Sequence, residues 1–106
     1  MEPLRLKTGD RVPEDRIPLF YIDDLEVTIP PRFSASFGLR YIDVVTERGL
    51  DAGVVWLLRN ALSSGGYEAL LNYDDLEPEQ FSAIVGNLQA MVVGALEKSK
   101  GKLRSA

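Results

Sequence analysis

The sequence predicts a mainly helical α+β domain: a short N-terminal β-hairpin packed on about four helices, with flexible ends. Three observations carry this prediction. Two β-prone runs precede Pro30-Pro31, and apolar residues recur at three- and four-residue steps from about Ser34 onward. Glycine and proline divide the remainder into stretches of ordinary helix length. The chain has 106 residues, which is one domain's worth and enough to bury a core alone.

The hairpin reading rests on Leu19-Phe20-Tyr21-Ile22 and Leu25-Glu26-Val27-Thr28-Ile29. Asp23-Asp24 between them forms the turn pair. Pro30-Pro31 ends the second strand, because proline cannot donate to a ladder. A lone hairpin is marginal in water and must pack on something.

A first helix follows from Ser34, with Phe37, Tyr41, Val44, Val45 and Arg48 on one face and Gly49 as its stop. A second helix fits residues 50–62, with Leu50, Val54, Leu57, Leu58 and Ala61 aligned and Trp56 off that stripe. Ser63-Ser64-Gly65-Gly66 breaks the chain, and Tyr67 to Leu71 allows one short helical turn.

The last helix starts at Pro78, where proline suits the first helical position and Glu77, Glu79 and Gln80 suit the positive dipole end. Phe81, Ile84, Val85, Leu88, Met91, Val92, Ala95 and Leu96 form its apolar face. It is expected to fade near Lys98. Residues 1–16 are therefore read as a flexible arm, 17–98 as the globular domain and 99–106 as a flexible basic tail.

Composition narrows the function. The chain contains no Cys and no His, which removes thiolate chemistry, the commonest general base and the commonest zinc ligands. Net charge is −4, with no basic stripe to follow a nucleic-acid backbone. Residues 17–75 carry nine acids against four bases, and the bases after Glu97 are Lys98, Lys100, Lys102 and Arg104. No apolar run reaches the roughly 20 residues of a membrane span. Met1 to Arg11 is charged and does not read as a signal peptide. The expectation is a small soluble intracellular interaction protein, not an enzyme, with no cofactor, no nucleic acid and no membrane.

Asp23-Asp24 and Asp74-Asp75 are the only candidates for a carboxylate metal or acid/base site, and turn chemistry accounts for both pairs. Ser63-Ser64-Gly65-Gly66 lacks the Lys-Ser/Thr of a phosphate loop. Trp56 and the Phe33, Phe37, Tyr41 cluster read first as core. One pattern asks for more. Gly86, Ala90 and Gly94 recur every fourth residue, about 140° from Phe81 around the last helix. Each glycine costs about 1 kcal/mol against alanine in a helix interior. Close approach of another helix, from this chain or from a partner, would explain that cost. Gly86, Ala90, Gly94 and Trp56 are accordingly the candidate partner-binding residues.

The order of elements over residues 19–102 resembles the tail assembly chaperones of long-tailed siphoviruses that infect actinobacteria. The elements are Phe20-Tyr21-Ile22-Asp23-Asp24 through Ile29-Pro30, then Glu47-Arg48-Gly49, then Gly66-Tyr67-Glu68-Ala69-Leu70, then Pro78-Glu79-Gln80, then Val92-Val93-Gly94. Asp24 stands where relatives often carry glycine.

The resemblance implies a non-enzymatic chaperone that holds the tape measure protein soluble while the tail tube assembles. It implies the tail tube protein as a second partner, self-association, and a longer form made by ribosomal frameshifting, of which this chain would be the shorter product. Gly101-Lys102 is compatible with a slippery GGG-AAA stretch. The expected location is the host cytoplasm, with the protein absent from the mature virion. The alternative reading is a small structural or connector protein of a phage virion. A carboxylate-metal enzyme built on Asp23, Asp24, Asp74 and Asp75 is a third.

Overall fold

The computed structural model describes Leu4 and residues 15–105, with side chains described to Glu97. Six elements follow in order: β1 (Ile17–Ile22), β2 (Leu25–Ile29), α1 (Ala35–Arg48), α2 (Leu50–Ala61), α3 (Gly66–Leu71) and α4 (Pro78–Ser105). This is the hairpin followed by four helices that the sequence predicts.

β1 and β2 pair antiparallel, with Tyr21 opposite Glu26 and an irregularity between Pro18 and Phe20. Asp23 turns the chain at φ 50°, a left-handed conformation that aspartate tolerates better than most residues. Alternation along β2 sends Val27 and Ile29 into the core, where they are 0% and 1% exposed. Thr28 between them faces the other way along the sheet edge. Its N–H donates to Ser63 Oγ at 3.0 Å, and its carbonyl accepts from the Ser63 N–H at 2.9 Å. The single residue Ser63 thus stands in for a third strand. Pro18 lies opposite Thr28, so its missing N–H costs no ladder bond with β2.

Arg16 completes this joint. Its guanidinium donates to the Thr28 carbonyl at 2.9 Å and to the Ala61 carbonyl at 2.7 Å, while Nε reaches Thr28 Oγ1 at 3.0 Å. A cation at the last carbonyl of α2 also suits that helix's negative end. The sequence places Arg16 in the flexible arm, whereas these bonds tie its side chain to β2 and to the end of α2. The rest of the expected arm, apart from Asp15 and Leu4, lies outside the described residues.

Ser34 caps α1 by accepting the Phe37 N–H at 3.1 Å. Gly49 closes α1 and opens α2. Its N–H donates to Val45 at 2.8 Å, and its carbonyl accepts from Gly53 at 3.1 Å. Its φ of 96° is a conformation that side-chain-bearing residues avoid. The tight corner folds α2 back against α1, so closely that a Cβ on Gly53 would collide with Val45 Cγ2. α4 begins with half of a capping box, the Gln80 side chain accepting the Glu77 N–H at 2.9 Å. It then crosses α1, where a Cβ on Gly38 would lie 2.8 Å from Leu96 Cγ. Gln89 donates to the buried Tyr41 hydroxyl at 3.0 Å across the same contact.

The core gathers Val27 and Ile29 from the hairpin, Tyr41 from α1, Leu57, Leu58 and Ala61 from α2, Leu70 from α3, and Ile84, Val85, Leu88 and Val92 from α4. Two expectations are corrected. Leu50, assigned to the buried face of α2, is 58% exposed because it sits on the corner before α2 meets its neighbours. α4 runs on to Ser105, past Lys98 where the charge pattern predicts its end. The helical backbone therefore extends through most of the segment read as a flexible tail.

Leu88 is fully buried at the centre of this face. Leu88→Ala should lower unfolding stability by about 2–5 kcal/mol in urea titration. A loss below about 1 kcal/mol, ordinary for a surface change, would contradict the packing. Ser63→Ala strands the Thr28 N–H and should cost about 1–3 kcal/mol. In amide hydrogen exchange the faster opening should be confined to the hairpin, and uniform protection would contradict the Ser63 joint.

Candidate protein-binding surface

The structure separates the four candidate binding residues. Trp56 is half-buried and belongs to the edge of the core. Its ring lies 5.0 Å from Phe37, which stacks on Phe33 at 4.6 Å. That row joins α2 to α1 and to the loop before it, which is the core role the sequence first assigns to these aromatics.

Gly86, Ala90 and Gly94 are all exposed. A Cβ built on Gly86 or Gly94 meets nothing within 4 Å. Close approach of a helix from this same chain, one of the two explanations for the stripe, is thereby excluded among the described residues. The close approaches within the chain fall instead at Gly38, Gly53 and Gly66, where a Cβ would run into Leu96, Val45 and Val27 respectively.

The two glycines border different hollows. Gly86 forms one wall of a groove of about 460 Å³ between α2 and α4, with Asp51, Val54, Val55, Phe81 and Val85. Gly94 borders a second hollow of about 460 Å³, with Pro31, Phe33 and Met91. Ala90 lines neither. The stripe is therefore not a single continuous seat.

Further apolar surface lies on the helices. Leu39 and Ile42 of α1 and Val93 of α4 are 61%, 46% and 48% exposed. Sequence reasoning missed them because it sought one apolar face per helix. The available signal was that Leu39 and Ile42 fall off the Phe37–Tyr41–Val45 face.

The acidic pairs occupy turns. Asp23 and Asp24 form the hairpin bend, and Asp74 and Asp75 lie in the turn before α4. Among the described residues no three carboxylates lie close enough to share a metal ion. Tyr21 donates its hydroxyl to Glu26 Oε2 at 3.1 Å. That bond, followed by the repulsion between two anions, raises the phenol's pKa above its ordinary 10.0. The pair is an exposed cross-strand contact. Among the described residues no helix is long and apolar enough to cross a membrane.

No protein-family model, curated protein or solved structure matches this chain.

Open space at the two glycines has a direct consequence. Gly86→Ala and Gly94→Ala should each stabilise the isolated chain, by up to about 1 kcal/mol. Gly53→Ala should destabilise it through the clash with Val45. Thermal melts of the three variants check this. A loss of stability in Gly86→Ala would mean that the chain itself packs there.

Proposed function

We propose that the chain is a phage tail assembly chaperone that binds the tape measure protein and keeps it soluble while the tail tube assembles. The supporting observation is where the motifs of the resemblance fall in the fold. Asp23-Asp24 makes the hairpin bend, and Pro30 follows β2. Gly49 is the left-handed corner between α1 and α2, and Gly66 lies under Val27. Pro78 opens α4. These motifs, spread across the resemblance, fall at positions that decide how the elements connect.

The physics of the role is compatible with the surface. A tape measure protein offers long amphipathic stretches that aggregate when bare. A holdase must present apolar surface to them without aggregating itself. Here exposed apolar residues are spread over several helices, including Leu39, Ile42 and Val93, while the body from 17 to 75 carries nine acids against four bases. Like charge keeps complexes apart and steers basic client segments inward. The role is non-enzymatic and needs no cofactor. The tail tube protein and a longer frameshifted form are its further partners, and the host cytoplasm is its place of action.

Co-expression with the tape measure protein should raise that protein's soluble yield and give a co-purifying complex. Raising salt should slow association more than it speeds release, because exposed charges steer encounter and are screened beyond about 8–10 Å. An unchanged yield and no complex at low salt would refute the reading.

A further inference from the structure

We infer that the groove between α2 and α4 at Gly86 is the seat for a partner helix that is apolar on one face and basic at its edge. The identity of that partner rests on the chaperone reading. The place and chemistry of contact rest on the groove.

The floor of the groove is incompletely covered core. Val54, Val55 and Phe81 are only half-buried, and Val54 and Phe81 pack against the core that contains Leu57 and Leu88. Gly86 keeps the wall low, because any side chain there would stand in the groove. Glycine in a helix interior is unfavourable by about 1 kcal/mol against alanine. At Gly38, Gly53 and Gly66 close packing within the chain accounts for that choice. At Gly86 nothing within the chain does.

The rim carries one sign of charge. Among the residues that line it, the charged one is Asp51. Asp51 makes no ion pair with a described residue, and no Lys or Arg lines the groove. Arg59, one turn beyond Val55, has its guanidinium 5.1 Å from the centre of the Tyr67 ring on α3. A largely apolar trough with Asp51 on its lining suits an amphipathic helix with Lys or Arg flanking its apolar face.

An extended strand suits the molecule less well. The outer edge of β2 is already taken at Thr28 by Ser63. The outer edge of β1 carries Pro18, which cannot donate to an added strand.

The test uses the full chain and the tape measure protein, with affinity measured alongside the melting temperature. Gly86→Leu should weaken the complex by about tenfold or more while leaving the melting temperature unchanged or higher. Asp51→Asn should slow association and reduce its salt dependence. Gly94→Leu, on the other hollow, should bind within about twofold of wild type, well under the tenfold shift that 1.4 kcal/mol represents. Equal binding by wild type, Gly86→Leu and Asp51→Asn would overturn the groove and leave the chaperone reading standing. No binding by the wild type would overturn both. A wild-type dimer that Gly86→Leu makes monomeric, with client affinity unchanged, would assign the groove to a second copy and also overturn the inference.

Discussion

Burying Val27 and Ile29 requires that Thr28 between them find partners for its backbone on the side away from β1. A two-stranded sheet has no third strand to provide them, and stranded backbone groups at a packed edge are costly. Ser63 meets the need with its own N–H and hydroxyl, and Arg16 adds a second donor to the same carbonyl. Much follows from that joint. It fixes the end of α2 against the hairpin, because Arg16 also holds the Ala61 carbonyl. It brings Gly66 under Val27, where a side chain would not fit. It thereby sets where α3 starts and how the chain returns to α4.

The helical half is held by close approaches of a different kind. Gly53 lets α2 fold flat on α1 after the Gly49 corner, and Gly38 lets α4 cross α1 at Leu96. These contacts draw the middle of α4 toward α1. Between the stretch from Phe81 to Gln89 and the first part of α2 lies the open groove at Gly86. The same packing that completes the core on one side thus leaves apolar surface open on the other. For a chain read as a chaperone, that incompleteness is where function is sought.

The elements were legible because their periodicities are clean and their boundaries carry proline, glycine or serine. Pro30, Ser34, Gly49 and Pro78 all mark the ends the sequence assigns them, while Gly66, read as part of the break, opens α3. The joint between them was not legible, because the pairing of Ser63 with Thr28 spans 35 residues and Ser63 reads simply as a helix break. Leu50 was misassigned because periodicity along a helix does not reveal how far the neighbouring helix reaches. The end of α4 is not legible, because a run of lysines does not by itself break a helix. The glycine stripe was visible as a pattern. Which glycines serve internal packing was not, because that depends on Val45, Leu96 and Val27, residues distant in sequence from the glycines they meet.

The chaperone and connector readings use the same fold and differ in fate. A chaperone leaves its client when the tube closes, whereas a connector stays in the particle. Quantitative mass spectrometry of purified, mature virions against the infected-cell lysate separates them most directly. The account predicts that the chain is abundant in the lysate, bound to unassembled tape measure protein, and absent from finished particles. A fixed stoichiometric amount in finished particles would contradict it and make the chain a structural component of the virion.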